Sequence, residues 1–239
     1  MNIPRIPRSV VPNLFTAMNM FAGFLSIINA SQGNYKYAAW LIFIAAVFDA
    51  LDGFMARLTK SSSALGVQLD SLSDLVSFGV APAFLIYQTY LSQFNSWGVI
   101  ISSLLMIAGG FRLARFNVQL VGFDKAYFTG LPIPSSAITV AGFVLAYYNE
   151  GSGYSEPYNQ FIIPMVLLLS FIMVSKIKYD TLPKPTMQGI KEKPHLIIFI
   201  LVSAVALIIT NGNALFYVFV FMILFGIFRH IFNKFRKKS

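Results

Sequence analysis

The chain has 239 residues and a formal net charge of +9, is 56% hydrophobic with 24 phenylalanines, and carries only nine Asp and Glu. It has no cysteine and only two histidines, His195 and His230, which excludes a disulfide framework and a thiolate metal site and argues against zinc chemistry. Apolar stretches of about 18–25 residues recur along it, each long enough to cross a bilayer core of ~30 Å, so it reads as an all-α, polytopic membrane protein whose excess of Lys and Arg is topological and not a nucleic-acid surface.

Apolar periodicity and breakers predict eight spans, at 12–30, 37–58, 64–90, 97–119, 132–149, 159–176, 195–210 and 213–230, in one integral membrane domain covering 1–239. The first opens on Pro12-Asn13-Leu14-Phe15-Thr16, which suits a helix start, and a second span follows at once, so it is expected to stay in the membrane and not to be removed as a secretory signal. Tyr35, Tyr37, Trp40, Phe94 and Trp97 fall near span ends on the side opposite most of the positive charge and fit an interfacial belt.

The second and third spans carry four of the nine acidic residues: Asp49, Asp52, Asp70 and Asp74. At ~100° per residue, Asp49, Asp52, Gly53, Ala56 and Arg57 share one face of the second span, and Asp70, Asp74, Gly66, Ser63 and Ser77 share one face of the third. The short link at 59–63 makes the two spans antiparallel neighbours, so the polar faces can meet and gather the carboxylates. On the fourth span Arg112 and Arg115 are three apart and project from one side, where a guanidinium could fork onto an anionic acceptor. Anchoring of the helix end is the alternative. Near the end of the chain, Asn211-Gly212-Asn213 leaves two short spans that could instead form a re-entrant pair.

Charge placement tests this order. Arg5, Arg8, Arg57, Lys60, Arg112, Arg115, Lys125, Lys176, Lys178, Lys184, Lys191, Lys193, Arg229, Lys234, Arg236, Lys237 and Lys238 fall on one side, and Lys36 on the other. The positive-inside rule then puts both termini and the acidic end at the cytoplasmic face of the cell membrane. The terminal basic runs are expected at the anionic inner leaflet, each residue adding about 1 kcal/mol of attraction.

Four carboxylates in one place need compensating charge. Two like charges 4 Å apart repel by about 4 kcal/mol at an effective dielectric of ~20. Ion pairs with Arg57, Lys60, Arg112 or Arg115 would answer, as would protonated carboxylates in a proton path, but two divalent cations match the charge of four aspartates. Oxygen-only ligation points to a hard ion, Mg²⁺ or Mn²⁺, and paired ions suit displacement at phosphorus. Gly53, Ala56 and Gly66 would leave a notch beside them for a phosphorylated ligand, although small residues also serve close helix packing.

Written out, the stretch is Asp49-x₂-Asp52-Gly53-x₂-Ala56-Arg57-x₈-Gly66-x₃-Asp70-x₃-Asp74, which resembles the signature of the CDP-alcohol phosphotransferase family at every fixed position. The resemblance implies a six-helix catalytic core over 1–176, with the spans within 195–230 added to it, a site open to the cytoplasm, and a homodimer. It makes Asp49, Asp52, Asp70 and Asp74 the metal site, with Asp74 also the general base. It makes Asn13, Thr16, Asp52, Gly53, Ala56, Arg57, Ser63 and Gly66 the CDP-lipid site. The runs 70–82, 112–117 and 128–136 are similar to the serine-using members of that family, which implies CDP-diacylglycerol and L-serine as substrates; serine has the carboxylate onto which Arg112 and Arg115 could fork, and glycerol and inositol do not. Glycerol phosphate or inositol phosphate as acceptor, an archaeal ether-linked donor, and a cation transporter built on the aspartates remain as alternatives.

Overall fold

The computed structural model describes residues 10–59, 63–120, 127–180, 209–210 and 212–236. Among these, helices dominate: α1 (Val10–Ser31), α2 (Tyr35–Thr59), α3 (Ala64–Asp74), α4 (Ala81–Thr89), α5 (Asn95–Leu120), α6 (Ile133–Tyr147), α7 (Ile162–Val174) and α8 (Ala214–Arg236). A π-helical turn, Leu75–Val80, joins α3 to α4 without a break, so Ala64–Thr89 forms a single rod. Two short antiparallel ladders complete the fold: β1 (Tyr127–Thr129) with β4 (Lys178–Asp180), and β2 (Tyr148–Asn149) with β3 (Gly153–Tyr154). The span expected at 195–210 lies outside the described residues except for its last two, as do Arg5, Arg8, Lys60, Lys125, Lys184, Lys191, Lys193, Lys237 and Lys238.

Among the described residues, four helical rods, Val10–Ser31, Tyr35–Thr59, Ala64–Thr89 and Leu91–Val118, are long and apolar enough to cross a membrane. The outward faces agree with that: Phe21, Phe24, Phe111, Phe171, Phe225 and Phe228 are all more than half exposed, which in water would be an aggregating surface and in a bilayer is a lipid contact. The helices found where spans were expected at 132–149 and 159–176 are shorter, with 15 residues in α6 and 13 in α7. Each gives up its end to other structure. Tyr148 leaves α6 to pair with Tyr154, and a 3₁₀ turn at Tyr158–Phe161 precedes α7.

Small residues set the packing. The buried stripe of α1 reads Pro12, Thr16, Asn19, Ala22, Gly23, Ser26, Ala30, and it meets Ala38, Ala39, Ile42 and Ala45 of α2 in the most extensive helix pair of the fold. Apolar lipid gives helices no hydrophobic reason to associate, so close backbone approach and hydrogen bonds such as Ser26 Oγ to the Ala38 carbonyl, 2.8 Å, do that work. α6 is buried nearly throughout, from Ile133 to Leu145, and forms the centre against which α2, α4 and α8 pack. α8 sits on it through Gly142, where a Cβ would stand 2.7 Å from the Phe216 backbone nitrogen. Midway along α8, Gly226 lies against the ring of Tyr179 in β4. Of the expected interfacial aromatics, Tyr37 and Trp97 are exposed, whereas Tyr35 packs edge-on to Tyr148 and Trp40 edge-on to Phe43.

Candidate active site

The acidic residues occupy the last three turns of α2 and the C-terminal half of α3. Ser63 starts α3 as its N-cap, with Oγ accepting from the Gly66 amide at 3.0 Å, and α3 packs along α1, as α2 does. One carboxylate oxygen each from Asp49, Asp70 and Asp74 then falls within 4.8 Å of the others. Asp74 is buried and the other two are half-buried.

Asp52 stands apart from this trio. It is 6% exposed, and its Oδ2 accepts from Thr16 Oγ1 at 2.9 Å. With Asp70 it lines an open cleft of about 120 Å³ walled by Pro12, Asn13, Thr16, Gly53, Ala56, Ser63, Gly66 and Val67. Every residue the sequence assigned to a CDP-lipid site except Arg57 lines this cleft. Arg57 is exposed at its margin, with Nη1 3.6 Å from where a Cβ on Gly53 would be. A Cβ on Gly66 would stand 3.1 Å from Ser63 Oγ and 3.6 Å from Asn13 Oδ1, so the absence of a side chain there keeps the cleft open.

The donor chemistry fits a hard divalent cation. Three carboxylates converge with no thiol or imidazole among them, in a span interior where uncompensated anions are costly. These same residues could hold such an ion.

The two arginines part company. Arg112 is 6% exposed and lies across the Phe116 ring at 5.8 Å, within electrostatic reach of Asp74 and Asp49. Arg115 turns the other way, donating to the carbonyls of Thr129 at 2.7 Å and Val174 at 3.0 Å, with longer contacts to Met173 and Ser175 at 3.4 Å. Its geometry is that of a clasp between α5, β1 and the end of α7. Gly130 makes room for it: φ is +85°, and a Cβ there would stand 2.9 Å from Arg115 Nη2.

Other polar residues join the site, among them Asn19, which the sequence did not single out. Asn19 donates to Asp74 Oδ1 at 3.3 Å, Ser73 Oγ donates to the Thr16 carbonyl at 3.0 Å, and Ser77 Oγ to the Asn19 carbonyl at 2.8 Å. Asn117 Nδ2 donates to Ser71 Oγ at 2.9 Å, tying α5 to α3 beside Asp70. The signal for Asn19 was present, since Thr16 and Asn19 are three apart in an apolar span and so share a face. The π turn immediately after Asp74 had no sequence signal, although such turns gather at functional sites.

Residues 9–172 match the family described as CDP-alcohol phosphatidyltransferase. The chain belongs to the CDP-alcohol phosphatidyltransferase family. Membership makes it a membrane-embedded transferase of phospholipid biosynthesis, and the matched residues contain the cleft and all four aspartates. Among its relatives in the family, the CDP-diacylglycerol–serine O-phosphatidyltransferase of Helicobacter pylori strain J99 is 35% identical over 232 residues, covering 96% of this chain and 94% of the relative. The archaetidylserine synthase of Methanothermobacter thermautotrophicus is 40% identical over 171 residues, covering 71% and 69%. A CDP-diacylglycerol–serine O-phosphatidyltransferase of Methanocaldococcus jannaschii is 34% identical over 175 residues, covering 72% and 75%.

Proposed function

We propose that this phosphatidyltransferase moves the phosphatidyl group of CDP-diacylglycerol to L-serine, giving phosphatidylserine and CMP. The observation that carries the reading is the carboxylate trio beside the cleft, in a chain that aligns over 96% of its length with a relative named for this reaction. On this reading the CDP head enters the cleft between Asn13 and Thr16 of α1, Gly53 and Ala56 of α2, and Ser63 and Gly66 of α3, with Arg57 at its margin. The lipid tails stay in the bilayer. Asp49, Asp70 and Asp74, with Asp52 on the cleft wall, would hold two divalent cations, Mg²⁺ or Mn²⁺, whose charge would offset that of the pyrophosphate and the departing CMP.

Asp74 takes the proton of the serine hydroxyl as that oxygen attacks the lipid-side phosphorus, and the bond from that phosphorus to the bridging oxygen breaks, leaving with CMP. We assign the serine carboxylate to Arg112, a reading supported by its burial and its closeness to the acidic residues. The charge distribution puts the acidic end and both termini at the cytoplasmic face of the cell membrane. As the family resemblance implies, the working unit is a homodimer. The identity of 40% with an archaetidylserine synthase favours a second reading of the donor alone, an archaeal ether-linked CDP-lipid with the same acceptor.

The test is CMP release by the protein purified in detergent, with CDP-diacylglycerol and serine, glycerol phosphate or inositol phosphate in turn, in Mg²⁺, Mn²⁺ or chelator. Serine-dependent, chelator-sensitive release is the expected result. Release that follows glycerol phosphate or inositol phosphate instead would sink the acceptor assignment, and no release with any alcohol would return attention to cation transport.

A further inference from the structure

The face of α1 turned to the acidic residues holds one polar side chain to which the reaction described above gives no task. Asn19 is 0% exposed and lies three residues after Thr16, on the same side of the helix. Its amide nitrogen donates to Asp74 Oδ1 at 3.3 Å, and its side-chain Oδ1, also buried, has no hydrogen-bond partner among the described residues. As packing this is a poor choice. An apolar side chain of similar size would fill the space without leaving a buried oxygen unmet. What the amide supplies is an N–H at one oxygen of Asp74.

The backbone holds that N–H in register. Ser77, inside the π turn that follows Asp74, donates to the Asn19 carbonyl at 2.8 Å. One turn further along α1, Gly23 lets the helix approach Ser77 so closely that any side chain there would collide with it. Thr16 relates to Asp52 in the same manner, through its hydroxyl, so α1 orients a carboxylate of α2 and one of α3 from two adjacent turns.

We propose that Asn19 is a positioning residue for Asp74. By engaging Oδ1 it restricts rotation of the carboxylate and leaves Oδ2 to take the acceptor's proton. It acts through Asp74 and not on substrate, and the inference rests on the reading of Asp74 as general base.

The experiment compares Asn19→Asp, which keeps the shape but replaces the donor with an acceptor, and Asn19→Ala with Ser26→Ala and Asp74→Asn. Ser26→Ala is the structural control, losing a buried bond from α1 to the Ala38 carbonyl away from the acidic residues. Full-length protein is assayed for CMP release at varied serine and CDP-diacylglycerol, and for Mn²⁺ affinity by electron paramagnetic resonance. In both Asn19 variants kcat is expected to fall by about 10–100-fold, the range typical of residues that orient a functional group. Both KM values, and Mn²⁺ affinity in Asn19→Ala, are expected to stay near those of the unaltered protein, with Ser26→Ala close to normal throughout.

Normal kcat in the Asn19 variants beside an inactive Asp74→Asn overturns the proposal and leaves the base assignment standing. Near-normal turnover in Asp74→Asn overturns the base assignment, and the proposal with it. A raised serine KM at unchanged kcat would make Asn19 a substrate contact. A loss in Asn19→Ala that saturating Mn²⁺ restores would make it part of the metal site. Failure of both Asn19 variants to fold, while Ser26→Ala folds, would make it a packing residue. Each of these last three outcomes also overturns the proposal.

Discussion

Arg115→Ala separates an arginine that binds an acceptor from one that holds the fold. Its guanidinium donates to the Thr129 carbonyl at 2.7 Å and the Val174 carbonyl at 3.0 Å. The carbonyls of Met173 and Val174 belong to the last turn of α7, which no helical N–H can satisfy, and a cation there also complements the helix dipole. Two charge-assisted bonds at about 1.5–3 kcal/mol each, reduced for partial exposure, put the loss on truncation at roughly 2–4 kcal/mol. At about 2–4 °C per kcal/mol for a chain of this size, the thermal midpoint should fall by roughly 5–15 °C. Heating the detergent-solubilised protein and following tryptophan fluorescence or soluble fraction reads that shift, with serine KM measured alongside. Arg115→Lys, which keeps the charge but not the fork, should recover only part of it. An unshifted midpoint together with a raised serine KM would refute the clasp and return Arg115 to the acceptor site that the sequence implied.

Gly66→Leu should fill the cleft, since even a Cβ there would stand 3.1 Å from Ser63 Oγ. Leucine favours a helix over glycine by about 1 kcal/mol, so CDP-lipid binding, measured by retention of labelled donor, should fall sharply without loss of thermal stability. Undiminished donor retention would place the nucleotide elsewhere. Gly142→Leu should push α8 from α6, because the nearest atom to the new Cβ is backbone and cannot swing away. Overpacking of this kind costs about 1–3 kcal/mol, read as a lower midpoint in detergent, and an unchanged midpoint would mean that α8 is not seated there.

Asp49, Asp52, Asp70 and Asp74 were legible as one polar patch because helical azimuth follows from residue spacing alone. The short 59–63 link keeps their helices within reach of each other, although both pack on α1 and not on one another, and the cleft-lining Gly53, Ala56, Ser63 and Gly66 follow from the same projection. Azimuth does not set distance along a helix axis or between axes. That is why the structure divides the four, gathering Asp49, Asp70 and Asp74 and leaving Asp52 on Thr16 at the cleft wall.

The amino-acid sequence by itself determined the membrane class, the shared faces on which the acidic residues lie and the oxygen-only donor set, each a consequence of local spacing and composition. Tertiary structure decided the rest. Arg112 and Arg115 look equivalent at three residues apart, yet the carbonyls at the end of α7 capture Arg115, some 60 residues on in sequence, with |i−j| = 59 for the Val174 bond. Asn19 meets Asp74 across 55 residues, and the burial that makes its unmet oxygen meaningful exists only once α1 is packed. Hydrogen bonds between distant segments depend on where packed backbones place donor and acceptor, and no local periodicity in the chain encodes that distance.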